Sequence, residues 1–154
     1  MTERKIRPLA IGVFSHGDKI LVFEGYDPTK DEIFYRPLGG MIEFGEYGRE
    51  ALAREIREEI GQEIAHLRYL GSLESIFVFD GERGHKIVLV YDGELLDPFI
   101  YQKDIIEGYE EDIAGLRFKF KAMWKSLDEF YGREAPPLYP DGLIELLVKY
   151  RKGN

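Results

Sequence analysis

The chain contains no cysteine. That excludes a disulfide framework, a thiolate metal centre and a cysteine nucleophile. It also lacks any apolar run of about 18 residues, the length from which a membrane-spanning helix is read. Positive charge is scarce: 21 Lys and Arg stand against 29 Asp and Glu, for a formal net charge of −8. Nucleic-acid binding draws on clustered cations that displace counterions, so this balance weighs against a nucleic-acid partner. It leaves room for a small phosphorylated substrate, because a metal ion can bridge an acidic pocket and an anionic ligand. The opening residues MTERKIRPLA are charged from the third position and precede no stretch suited to a signal peptide. A cytoplasmic protein without membrane contact is the expectation. No repeat, low-complexity segment or Ser/Gly linker divides the 154 residues, so a single domain over 1–154 is expected.

What is present is the material of a globular core, with 44% hydrophobic and 14% aromatic residues. PLAIGVFSHGDKILVFEGY reads as a hairpin of two β-branched runs around Ser15-His16-Gly17-Asp18. EIFYRP reads as a short strand leading into Gly39-Gly40. LRYLGSLESIFVF and HKIVLVYDGEL read as long strands joined by the turn DGERG, and RFKFKAMW as a half-buried strand. Helical periodicity is confined to Arg49–Ile60 and to YPDGLIELLVKY, where Asp141 is the expected N-cap. These elements predict an α/β protein, a mixed β-sheet flanked by helices.

The first helix carries an unusual density of acid. At 100° per residue, Leu52, Ala53, Ile56 and Ile60 form the expected packing stripe. Glu55, Glu58 and Glu59 fall beside it at i, i+3 and i+4, where like charges cost roughly 0.2–0.5 kcal/mol per pair. Arg54 and Arg57 are expected mostly toward solvent, as partial compensation. Spacing alone leaves two readings: a solvated helix face, or a site for a hard divalent cation held by carboxylate oxygens.

The approach to the helix bears on that choice. In LGGMIEFGEYGREALAREIREEIG, Gly40 is followed after five residues by Glu46, and after seven more by Arg54-Glu55. Ile56, Glu58-Glu59 and Gly61 complete the pattern. This stretch resembles the signature of the Nudix hydrolase family. Gln62 stands where that signature ends in an aliphatic residue, with Ile64 as the substitute for its packing role. Tyr47-Gly48 replaces the usual hydroxyl-bearing helix start. The flanking elements are ordered as in the family from about Arg7 to Tyr150, including Trp124 and Leu127 in MWKSLDEF after the last strand.

The resemblance implies a Nudix-type α/β/α sandwich that hydrolyses the phosphoanhydride of a nucleoside diphosphate linked to another moiety. It implies Mg²⁺, with Mn²⁺ as the alternative ion. Carried over by position, Glu55, Glu58 and Glu59 would be metal ligands, Arg54 would orient them, Glu46 would support the loop and Gly40 would let it turn. Arg36, in YRPLGG, is a candidate partner for a substrate phosphate. For the base that activates water the candidates are Glu55, Glu74 in SLESIF, and Glu107, Glu110 and Glu111 in the expected loop KDIIEGYEEDIAG. Phe34, Tyr35 and Phe77 are candidates for stacking on a nucleobase or for the core. His16, His66 and His85 read as turn and surface residues.

A nucleotide-sensing module without turnover and an RNA 5′-end pyrophosphohydrolase are the alternatives in function. The intact acidic cluster argues against the first, the net charge against the second. Substrate marks of the family are missing. The next proline after the acidic stretch is Pro98, Phe77 and Phe79 stand where dinucleoside-polyphosphate enzymes show tyrosine, and no NADH-type or coenzyme A-type motif is found. A homodimer, frequent in the family, is one expectation for assembly.

Overall fold

The computed structural model describes residues 4–111 and 115–152. Seven strands form the sheet: β1 Ile6–His16, β2 Lys19–Asp27, β3 Glu32–Met41, β4 Ile64–Phe79, β5 Glu82–Leu95, β6 Ile105–Glu111 and β7 Arg117–Ser126. Two α-helices accompany them, α1 Gly48–Ile60 and α2 Leu143–Lys152. The strand order is β4-β5-β1-β3-β2-β7-β6. β1 and β5 run parallel and the other paired strands antiparallel, so the sheet is mixed, as expected.

The expected β1–β2 hairpin forms only at its tip, where Ser15 pairs with Ile20 and His16 with Lys19. Beyond that tip the strands part, and β3 bridges them. Its first half, through Pro37, pairs with β2, while Leu38 to Met41 pair with β1. β3 therefore continues through the two glycines that were read as a loop. Gly39 allows this: its φ is 145°, and a Cβ there would lie 2.8 Å from Ile11 Cα.

Side-chain alternation along β1 divides the interior into two layers. Leu9, Ile11 and Val13 pack with Leu143 and Leu147 of α2. Ala10 and Phe14 pack with Ala51, Leu52 and Ile56 of α1. The sheet is thus sandwiched between the helices. On α1 the packing stripe uses Ala51 in place of the expected Ala53, which is only half-buried. Ile64 does pack against the α1 layer beside Ile60.

Several boundaries move. The turn between β4 and β5 is only Asp80-Gly81, both at positive φ, and Glu82 to Gly84 join the ladder. An Asp-Gly pair in that conformation matches the right-handed twist of the flanking strands. The stretch expected as a loop with Glu107, Glu110 and Glu111 is largely strand β6, paired with β7; residues 112–114 lie outside the described residues. In α2 the first helical bond runs from Leu146 N–H to Gly142 O, one residue past Asp141. No helix among the described residues is long and apolar enough to cross a membrane.

The tips of the β2–β3 and β4–β5 hairpins are tied together through the buried Asp27. Its Oδ1 accepts from the N–H groups of Thr29 (3.0 Å), Asp80 (3.2 Å) and Lys30 (3.3 Å). That link joins the two halves of the split sheet at the far rim of the cleft described next.

Candidate active site

α1 begins without a hydroxyl cap. The Glu50 carboxylate instead accepts from Tyr47 N–H at 3.0 Å, satisfying the entry to the helix. At the other end Gly61 adopts the left-handed conformation and its N–H bonds Arg57 O at 3.0 Å. Between these ends the three glutamates are sorted by burial. The Glu58 side chain is 60% exposed, that of Glu55 19%, and Glu59 as a residue only 3%. Rotating one helical stripe against the sheet places Glu59 inside rather than beside the packing face.

Arg54 is not a solvent-facing counter-ion, as periodicity suggested. Its fork holds Glu46 at 2.8 and 3.0 Å, its Nη1 reaches Glu55 Oε1 at 3.0 Å and Glu58 Oε2 at 3.3 Å, and its Nη2 donates to Met41 O at 3.0 Å. Glu46 in turn accepts from Glu43 N–H at 3.0 Å. Arg57 does face solvent, paired with Glu63. The bidentate Arg54 contact and the backbone bond hold the Glu46 carboxyl down at about 2, well below its usual range. Arg54 itself is held more firmly protonated, chiefly by Glu46.

Glu55 and Glu59 are pushed the other way. Burial raises Glu55, against the Arg54 contact. Burial raises Glu59 far more, Arg36 pulls it down, and Glu110 and Glu55 add to the rise. Both Glu59 carboxylate oxygens are buried without a hydrogen-bond partner. A carboxylate so placed is costly unless a proton or a cation neutralises it. Gly40 packs directly on this cluster: a Cβ there would lie 2.5 Å from Glu55 Oε2.

Among the described residues, no three acidic or imidazole side chains converge closely enough to enclose an ion as they stand. Arg54 accounts for part of this, since its Nη1 bridges Glu55 and Glu58. The donor set nevertheless suits a hard divalent cation: all-oxygen, partly desolvated and with one acid left unpartnered.

Glu55, Glu58 and Glu59 line a cleft of about 590 Å³ together with Glu43, Tyr109, Glu110 and Glu111. It joins a second cleft of about 760 Å³, lined by aromatic side chains including Phe34, Phe77, Phe79, Phe118 and Tyr139. Leu9, Arg36, Lys86 and Glu110 line both. Arg36 lies over the Phe23 ring and is bonded to Glu110 at 3.1 and 3.3 Å.

The other sequence candidates separate clearly. Glu110 and Glu111 reach the acidic cleft and Glu107 the aromatic one, all from β6 rather than from a loop. Glu74 is exposed on β4 and lines neither cleft. Phe34 and Phe77 line the aromatic cleft, whereas Tyr35 belongs to the core on the α2 side. His85 is half-buried rather than exposed, and His16 packs its ring against Tyr101 and Trp124. Lys86 was missed, although a lysine opening the apolar run IVLVY was the visible signal.

Comparison with known proteins bears on the family and the fold. "NAD-capped RNA hydrolase NudC" of Pseudomonas aeruginosa (strain LESB58) is 29% identical over 150 residues, 97% of this chain and 46% of that protein. The protein of that name from Pseudomonas entomophila is 35% identical over 68 residues, 44% of this chain and 24% of that protein. The chain thus spans less than half the length of these relatives. Among solved structures, a NUDIX hydrolase from Nitrosomonas europaea superposes with a TM-score of 0.66 at 19% identity, covering 97% of this chain and 90% of that one. A UDP-X diphosphatase does so at 0.60 and 19%, covering 99% and 66%. These structural likenesses establish the fold. The NUDIX domain model matches residues 6–141, so the chain belongs to the NUDIX hydrolase family.

Proposed function

We propose that this protein hydrolyses the phosphoanhydride of a nucleoside diphosphate linked to a second moiety, with Glu55, Glu58 and Glu59 holding Mg²⁺ or, alternatively, Mn²⁺. The observation that carries this reading is the buried, partnerless carboxylate of Glu59 on the wall of a cleft that opens into an aromatic one. With no donor reaching it and the Glu55 carboxyl as its acidic neighbour, Glu59 is neutralised by a cation in place of a shared proton. A bound divalent ion supplies neutralisation of the diphosphate charge and a more acidic water.

The chain's own groups divide the remaining work. Arg54 and Glu46 fix the helix against the preceding loop, and Gly40 leaves room for the Glu55 carboxyl. Glu55, which lines the acidic cleft, accepts the proton of the attacking water. As the water oxygen bonds to phosphorus, the bridging P–O bond breaks and its electron pair leaves with the departing phosphate. Arg36, while bonded to Glu110, lends part of its charge to the substrate phosphate, and the nucleoside lies against Phe34 and Phe77.

The curated relatives favour a second reading, in which a dinucleotide cap on RNA occupies the same clefts. The net charge of −8 opposes a long RNA tract. A panel of nucleoside triphosphates, ADP-ribose, nucleotide sugars, dinucleoside polyphosphates, NAD⁺ and NAD-capped RNA, assayed with Mg²⁺, tests both. Turnover of small nucleotides that is insensitive to moderate salt supports the main reading. Preference for capped RNA that declines steeply with salt supports the second, and tight nucleotide binding without turnover overturns both in favour of a sensor.

A further inference from the structure

Among the described residues Lys86, a cation at the junction of the two clefts, has no hydrogen-bond or ion-pair partner. It lines both, as Arg36 does. Arg36 is already committed to Glu110 through two contacts. Lys86, half-buried on β5, forms no hydrogen bond or ion pair among the described residues, and its Nζ stands 5.1 Å from the centre of the Phe77 ring. In the sheet it is flanked by Arg7 of β1 and Ser75 of β4. A half-buried ammonium that no carboxylate contacts directly is costly to keep charged, and an anion brought to it gains what the protein leaves unmet.

We propose that Lys86 is a specificity-determining anchor for the phosphate adjoining the nucleoside, gripping it where the acidic cleft meets the aromatic one. This rests on the reading of those clefts as a nucleoside diphosphate site. It assigns recognition of the diphosphate to β5 as well as to α1 and β3, and it makes a phosphate attached to the nucleoside a requirement for tight binding.

A pH dependence follows. The groups acting on Lys86 are Arg36 of β3 and Arg7 of β1, which oppose its charge, and Glu110 of β6, which favours it; Ser75 of β4 is neutral. Burial is the largest influence, and together they lower Lys86 to about 8. A phosphate favours the charged form, so affinity is full below that value and falls as pH rises through and above it.

The test is calorimetric binding of ADP, GDP and UDP, with the matching nucleosides as controls, to wild type, Lys86→Met and Lys86→Arg at pH 7 and pH 9.5. Lys86→Met is expected to weaken the best diphosphate at least about tenfold, the scale of one charge-assisted hydrogen bond, and to leave the nucleoside unchanged. Lys86→Arg is expected to restore most of the affinity at pH 7 and to keep it at pH 9.5, where wild type loses it. Unchanged diphosphate affinity in Lys86→Met, or equal loss of nucleoside and diphosphate, overturns the assignment. Wild-type turnover of the nucleotide panel beside such a result leaves the parent reading standing. Absence of both turnover and diphosphate binding overturns the two together.

Discussion

Arg54 grips Glu46 with two parallel bonds, Nε to Oε2 at 2.8 Å and Nη2 to Oε1 at 3.0 Å, and so ties the loop after β3 to the helix that carries the acids. Lysine cannot reproduce that fork. Arg54→Lys should therefore lower kcat/KM by roughly 100-fold, about 2.7 kcal/mol of barrier, although the charge is kept. Steady-state kinetics on the substrate found by the panel checks this.

The same pair sets an acid limit on stability. Glu46 is lowered to about 2 in the folded protein, so its contribution is present above the ordinary carboxylate pKa and is lost as pH falls toward 2. Denaturant titrations should find Glu46→Gln less stable than wild type at pH 7, with the gap closing through the acid range.

Glu59 predicts the opposite slope. Its folded pKa is raised, so in metal-free protein its contribution is present at low pH and lost as pH rises through the raised value. Glu59→Gln should match wild type at pH 4 and exceed it in stability at pH 8. Urea unfolding in the presence of a chelator at the two values reads the difference.

Gly40→Ala should damage the site from the strand side. The added methyl would meet the end of the Glu55 side chain and push its carboxyl out of place. Reduced turnover is expected with a small change in stability, because a side-chain end can swing aside while the acid it carries leaves the site. Thermal unfolding and kinetics on one preparation check both.

Glu74→Gln should leave turnover within about twofold of wild type, because the side chain is exposed on β4 outside both clefts and surface changes of this kind have small effects. Glu110→Gln, which removes the charge paired with Arg36, should not be silent in the same assay.

The fold class and the acidic helix were legible because both rest on local patterns: alternation in the strands, glycine at the helix end, and acids at fixed offsets. What was not legible depends on long-range placement. Arg54 reads as solvent-facing on a helical wheel, yet Glu46, eight residues earlier, turns it inward. Glu59 looks like its neighbours until the tilt of α1 on the sheet buries it. β6 reads as a loop because Gly108 and a run of acids weaken its strand pattern, but pairing with β7 across Glu107 and Lys121 overrides that. Lys86 acquires meaning only when β5 is set beside β1 and β4, at the meeting of two clefts.

Glu59, buried with no hydrogen-bond donor, is the residue on which the proposed metal site turns. The most direct test of that role is a Mn²⁺ titration followed by electron paramagnetic resonance on wild type and Glu59→Gln, both confirmed as folded. Wild type is expected to bind Mn²⁺ saturably and more tightly as pH rises, since binding displaces a proton, and Glu59→Gln to bind it at least about tenfold more weakly. Equal Mn²⁺ affinity in the two proteins would contradict that role.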